Sequence, residues 1–243
     1  MKYKLKIAYD GSSYHGWQIQ KQKPSIQGEI QKALYLLLKE NISVIGAGRT
    51  DAKAHALCQV AHFFLKKNLD LTKTLSSLNG ILPKDIRILN IEKALSSFHA
   101  RFSSLSKTYN YYISTSIFSY LFKKKYTHFI KQNLNLSLMR KGAKLLLGTH
   151  DFSSFANKNS NNINPLKTLT KLNITKKNSI ICFELTADGF LYKMVRNIVG
   201  TLVDLGRKKI TIKDLDYILK AKDRKKASNP LPAHALFLIN VEY

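Results

Sequence analysis

The sequence predicts an α+β fold with mainly antiparallel sheets, on three observations. The first hundred residues run in the order β-α-β-β-α-β, the second half follows that order loosely, and apolar residues make up 44% of the 243, enough for a real core. Residues 4–9 alternate as a strand and stop at the turn Asp10-Gly11-Ser12. Pro24-Ser25 opens a helix in which Ile26, Ile30, Ala33, Leu34, Leu37 and Leu38 keep helical spacing. Strands follow at 43–47 and 57–65, a helix at 71–78 and a strand at 85–91. In the second half, 107–113 reads as a strand and 136–147 as a helix ending at Gly148. Residues 166–175 and 179–187 read as a hairpin. Phe190, Met194, Ile198, Leu202 and Leu205 mark a helix, 214–219 a short further one, and 235–243 a closing strand. Residues 157–164, NKNSNNIN, form a polar loop. The boundary falls near 97–106, which gives two domains, 1–102 and 103–243.

Charge narrows the class of partner. Forty Lys and Arg against 15 Asp and Glu leave a net charge of +25, which points to a polyanion, most simply nucleic acid. The lysines are spread along the chain, with runs of three only at 123–125 and 207–209, so a folded basic surface is favoured over a basic tail. The apolar run 33–38 is far shorter than the roughly 18 residues of a membrane span. The two cysteines, Cys58 and Cys182, make neither a disulfide framework nor a zinc pair. With no apolar leader at its start, the chain is expected in the reducing cytoplasm.

The chemistry concentrates in Gly46-Ala47-Gly48-Arg49-Thr50-Asp51-Ala52-Lys53-Ala54-His55-Ala56. Two glycines after a strand allow a sharp turn or a close approach. A guanidinium near a carboxylate favours its ionised form, and a fixed, ionised Asp51 can serve as nucleophile or general base. A capping Asp with a surface Arg49 is the plainer alternative. His55 reads more simply as a satisfied structural histidine than as an acid–base partner. His55 and His62 lack a third ligand at metal spacing, and there is no GxxxxGK[ST] or GxGxxG, so neither a metal nor a nucleotide cofactor is indicated. His99 and Arg101 stand among aromatics at the domain junction. Lys107, Tyr109 and Tyr111 alternate onto one strand face, a pattern suited to base stacking and phosphate contact. Arg196 lies in an otherwise apolar helix and needs a partner, for which Asp51 is a candidate.

Taken in order, these residues make the chain resemble the tRNA pseudouridine synthase A family along nearly its whole length. The matches are Tyr9-Asp10-Gly11, Gly16-Trp17-Gln18, the Gly46–Ala56 segment, Leu78-Asn79 and Leu82-Pro83 with Asp85-Ile86. Phe98-His99-Ala100-Arg101-Phe102, Lys107–Tyr111, His150-Asp151-Phe152 with Phe155, Phe190 with Met194-Val195-Arg196-Asn197, and Pro232-Ala233 with Leu236 complete the series. The resemblance implies an isomerase that converts uridine to pseudouridine at positions 38, 39 and 40 of the tRNA anticodon arm. It implies two similar α/β lobes around a central basic cleft, a homodimer, and neither cofactor nor metal. It makes Asp51 the nucleophile, Tyr109 the residue stacked on the target uracil, and Arg196 the partner of the catalytic carboxylate. Arg49 matches a motif arginine that positions RNA or holds the flipped base, and Leu236 an apolar residue near that base. Lys53, His55, Arg101 and Lys107 are further candidate RNA contacts.

Three positions depart from the family pattern. Lys53 stands where the family has glycine, Lys107 where it has arginine, and Ala235 where it has glycine. If position 53 requires a positive φ, Lys53 carries roughly 1 kcal/mol of strain. The competing readings are a non-catalytic tRNA-binding protein or chaperone on a decayed synthase, and an Asp/His hydrolase acting on RNA.

Overall fold

The computed structural model describes residues 1–157 and 164–243. The polar loop expected at 157–164 therefore lies, apart from its two end residues, outside the described residues. The chain divides into two compact units: Met1–Leu105 with Phe237–Tyr243, and Ser106–Leu236.

In the first unit, β1 (Lys2–Tyr9) buries Tyr3, Leu5, Ile7 and Tyr9, the alternate residues of a strand with one face in a core. The Ser25 hydroxyl accepts the Gly28 N–H and starts α1 (Ile26–Leu38), which buries Ile26, Ile30, Ala33 and Leu34 as one stripe. Next come β2 (Ile45–Gly46), β3 (His55–Phe64), α2 (Leu71–Ile81) and β4 (Ile86–Ala94). β1 lies antiparallel between β3 and β4, with Leu5 opposite Ala61 on one side and Ile91 on the other. The strand expected at 43–47 shrinks to two residues. Gln27 donates to the Val44 carbonyl (2.8 Å) and Gln31 accepts its N–H (3.0 Å), so side chains of α1 satisfy a backbone that would otherwise need a ladder.

The second unit begins with β5 (Ser106–Ser114), followed by α3 (Ile117–Lys123), β6 (His128–Phe129), α4 (Leu136–Leu145) and β7 (Gly148–Asp151). It continues with β8 (Leu166–Lys177), β9 (Ile180–Ala187), α5 (Met194–Gly206) and α6 (Ile212–Ala221). The order β5-β9-β8-β7 is antiparallel throughout, and β6 pairs parallel to β5. Among the 13 residues of α5, only Arg196 and Asp204 are not buried, so this helix is the centre of the unit's core. α4 can press against it because a Cβ on Gly142 would fall 2.3 Å from a Leu205 methyl. Helix α5 starts at Met194, later than the apolar pattern from Phe190 suggests, because Lys193 holds φ 61° and cannot continue a helix backwards.

The last strand, β10 (Leu236–Glu242), was expected in the 103–243 half. Instead, Phe237 and Leu238 pair in parallel with His55 and Ala56 of β3, which puts Phe237–Tyr243 in the first unit. Sequence order places a strand in the chain, but its neighbour is chosen by the hydrophobic face it completes. The strands β6 and β7 and the helix α3 were not anticipated. α3 buries none of its residues. With six α-helices and mostly antiparallel strands among the described residues, the fold is α+β.

Candidate active site

In the first unit the Asp51 loop joins β2 to β3 and is fixed from several sides. Ala47 donates to Val60 (2.7 Å), and the buried Gln59 amide donates to the Gly48 carbonyl (3.0 Å). The Tyr9 hydroxyl shares a 2.8 Å hydrogen bond with the Thr50 hydroxyl. Burial drives the Tyr9 phenol pKa well above its ordinary value, so Tyr9 stays a neutral partner. Trp17 N–H donates to the Thr50 carbonyl (3.2 Å), and Lys53 N–H to the Tyr14 carbonyl (3.1 Å). Ala54 N–H returns to the Asp51 carbonyl (3.1 Å) and closes the turn.

Two glycines let the supporting chain come this close. Gly16 has φ 93°, and a Cβ there would lie 2.4 Å from the Thr50 carbonyl oxygen and 3.1 Å from the Asp51 carbonyl carbon. A Cβ on Gly11 would lie 1.9 Å from the Ala54 carbonyl oxygen. The Asp10-Gly11 and Gly16-Trp17 motifs thus wall the loop from behind.

Asp51 is half-buried, while Arg49 and Lys53 are exposed. Lys53 adopts φ 67°, the left-handed region that a glycine would occupy without strain. The substitution therefore keeps the turn and adds a cation two residues from Asp51. His55 is 1% exposed, stacked on Phe237 with centroids 4.5 Å apart. Its Nδ1 lies 3.1 Å from both the Gly11 N–H and Asp10 Oδ1: bare, it accepts from Gly11, and protonated, it donates to Asp10. Of the candidate RNA contacts, His55 is the one enclosed in the protein, and it supports the loop. Arg101 is exposed at the far end of this unit's β3.

The second unit holds Lys107, Tyr109 and Arg196. Tyr109 on β5 is 8% exposed, its ring edge-to-face with Phe190 at 5.1 Å. Lys107 is half-buried two residues before it, and Tyr111, two residues after it, is fully buried and donates to the Pro232 carbonyl (2.9 Å). Burial raises the Tyr111 phenol pKa far above its usual range, against a smaller opposing pull from the Arg196 charge. Arg196 is half-buried, and its Nε donates to the Leu231 carbonyl at 2.5 Å while Leu231 N–H returns to the Arg196 carbonyl (3.3 Å). Leu236 is buried.

One side chain that sequence reasoning did not single out braces this region. Arg224 donates to the Asn197 side chain (2.9 Å), the Asn157 side chain (3.2 Å), and the carbonyls of Ala227 (2.8 Å) and Ser228 (2.9 Å). Asn197, fully buried, donates in turn to the Phe155 carbonyl (2.6 Å) and Asn157 Oδ1 (3.0 Å). Arg224 thus ties the start of α5 to the segment leading to Leu231, whose carbonyl orients Arg196. One signal was available: an arginine in DRKKASNP, shortly before the Pro-Ala motif, in a chain whose basic residues are mostly lysine.

Among the described residues, no group of three His, Cys, Asp or Glu side chains is placed to hold a metal ion. No helix there is long and apolar enough to cross a membrane.

Comparison with known proteins agrees with the motifs. The family profile described as tRNA pseudouridine synthase matches residues 6–103 and 143–243. The chain is 45% identical to "tRNA pseudouridine synthase A 1" of Protochlamydia amoebophila, across 99% of this chain and 96% of that protein. It is 39% identical to the tRNA pseudouridine synthase A of Borrelia duttonii (98% and 97% covered) and 38% identical to that of Acetivibrio thermocellus (99% and 98%). With motif order, α+β fold and full-length similarity in agreement, this chain belongs to the tRNA pseudouridine synthase family.

Proposed function

We propose that this chain converts uridine to pseudouridine at positions 38, 39 and 40 of the tRNA anticodon arm, with Asp51 as the nucleophile. The coarser part, an isomerase that makes pseudouridine in tRNA, rests on family membership. The target positions follow from the resemblance, and the role of Asp51 is supported by one observation: Asp51 sits in a turn whose backbone is fixed by Tyr9, Trp17, Gln59 and the glycine contacts behind it. A side chain carried on a backbone fixed this way needs little backbone reorganisation before attack.

The reaction breaks the bond from N1 to the ribose C1′, turns the uracil, and joins C5 to C1′. C5 gives up its proton, N1 takes one up, and the transient bond formed by Asp51 is broken again so that the carboxylate is regenerated. Electrons balance within the nucleoside, so no oxidant or reductant is consumed. The uridine must first leave its stack, at a cost of a few kcal/mol that is smaller in a loop or at a stem edge than in a full duplex. In this reading Tyr109 stacks on the extruded uracil, its ring angle set by Phe190. Arg196, oriented by the Leu231 carbonyl, pairs with the catalytic carboxylate. Arg49 and Lys53, both exposed, meet RNA phosphate or hold the flipped base, Arg101 and Lys107 give further RNA contacts, and Leu236 lines the apolar side of the base site. The working form is a cytoplasmic homodimer that needs no cofactor.

The test is pseudouridine mapping on an unmodified tRNA transcript with uridines at 38, 39 and 40, comparing wild type with Asp51→Asn. Wild type is expected to convert these sites, and Asp51→Asn to bind the RNA within about threefold of wild type and convert none, because the charge changes and the shape barely does. Conversion by Asp51→Asn would remove Asp51 from its role. Tight binding by wild type with no conversion would instead favour the non-catalytic tRNA-binding protein.

A further inference from the structure

At the end of β3 remote from the Asp51 loop, the first unit presents an aromatic side chain that its core does not use. Phe102 is 76% exposed, yet its ring is stacked on His99 with centroids 4.4 Å apart and planes 30° from parallel. His99 in turn meets His62 edge-on at 4.8 Å, and His62, buried in β3, accepts the Ala100 N–H (3.1 Å). The turn carrying Phe102 is tied down. His99 Nδ1 accepts the N–H groups of Arg101 (3.2 Å) and Phe102 (3.3 Å). Ser103 Oγ accepts the His99 N–H (2.9 Å), and Ser103 N–H donates to the His99 carbonyl (2.8 Å). A large apolar ring held rigidly in water is unfavourable for the free protein, because burial elsewhere would gain free energy. The same rigidity removes most of the ordering cost when a flat partner arrives.

One cation is placed over the ring. The Arg101 guanidinium lies 5.5 Å from the Phe102 centroid and is exposed. The Lys2 ammonium, which donates to the carbonyls of Ser96 (2.5 Å) and Phe98 (2.6 Å), stands on the preceding turn. An exposed aromatic ring with a guanidinium over it, on a chain of net charge +25, complements a base with its phosphate. We infer that Phe102, backed by His99 and with the Arg101 guanidinium over its ring, is a stacking platform for an unpaired base of the tRNA substrate, distinct from the uridine that is isomerised. The separation supports a second base. His55, next to the Asp51 loop, and His62, next to the platform, are seven residues apart on β3, about 23 Å of extended chain.

The inference rests on the tRNA reading, and its test keeps the two apart. Binding of an unmodified tRNA transcript is measured for wild type, Phe102→Leu and Phe102→Trp, with the melting temperature and sedimentation of each. Phe102→Leu keeps an apolar side chain but loses the π-face, so its Kd should rise about 5- to 100-fold at unchanged melting temperature. Phe102→Trp should bind like wild type, and its indole fluorescence should be quenched by tRNA beyond any change that Trp17 alone shows in wild type. A Kd for Phe102→Leu within twofold of wild type overturns the platform and leaves the tRNA reading intact. A change in sedimentation at unchanged Kd overturns it too, and assigns the surface to contact between copies of the chain. Wild type that fails to bind tRNA overturns both.

Discussion

Lys53 shows how one side chain is set by its backbone. Its φ of 67° is a conformation that glycine adopts freely, whereas a side chain with a Cβ meets its own carbonyl there. Lysine tolerates it at roughly 1 kcal/mol, and its N–H still reaches the Tyr14 carbonyl. Lys53→Gly relieves that strain but adds freedom to the unfolded chain. The expected result in urea unfolding is between no change and a gain of about 1 kcal/mol. Lys53→Val is expected to lose about 1–2 kcal/mol, because a β-branched residue is poorly accommodated in this region. A stable valine variant would mean the turn relaxes to another conformation.

At the scale of elements, the interest lies in what holds α5 to the segment that follows α6. Helix α6 is self-contained: Thr211 and Asp214 form a reciprocal capping box. Helix α5 is different, since Lys193 at its N-cap makes no side-chain cap and its fixation comes from outside. Asn197 and Arg224 supply it, and a Cβ on Gly200 would lie 2.6 Å from the Asn229 carbonyl oxygen, so the chain runs close against the helix. Arg224→Gln removes the fork that reaches two side chains and two carbonyls at once. It is expected to lower the unfolding free energy by about 2–4 kcal/mol, the range for losing several hydrogen bonds to a charged group and leaving acceptors unpaired. Because the same segment orients Arg196, kcat on tRNA should fall while KM changes little. A variant with wild-type kcat and reduced stability would limit Arg224 to a structural part.

For the whole molecule, burial pushes the pKa of a histidine in each unit down to about 4: His62 in the first and His128 in the second. Repulsion adds to this, from His99 and Lys2 at His62 and from His234 and Arg207 at His128. Both are neutral in the folded chain at pH 6, where an unfolded histidine, with its pKa near 6.5, takes up protons. Between pH 6.5 and 4 the unfolded state therefore binds more protons, so stability falls as the pH drops through that window and levels below it. The urea midpoint should decline from pH 7 towards pH 4, and His62→Gln should flatten the decline. Protonating His62 also forfeits the hydrogen bond its Nδ1 accepts from Ala100, which joins the acid sensitivity to the turn that carries Phe102.

Local pattern was enough for much of this protein. Alternation along β1 and β5, the helical stripe of Ile26, Ile30, Ala33 and Leu34, and the ordered motifs around Asp51 were legible because each depends on residues close in the chain. The α+β class and the family followed from them. Other features depend on contacts between residues far apart. β10 completes the sheet beside β3, Gln27 and Gln31 take over the hydrogen bonds of Val44, Arg224 gathers three segments, and His55 is closed in between Phe237 and Gly11. Sequence determines which side chains are available and the local shape that presents them. Burial and hydrogen-bond pairing, which exist only once distant segments meet, decide which of them face a substrate and which hold the others still.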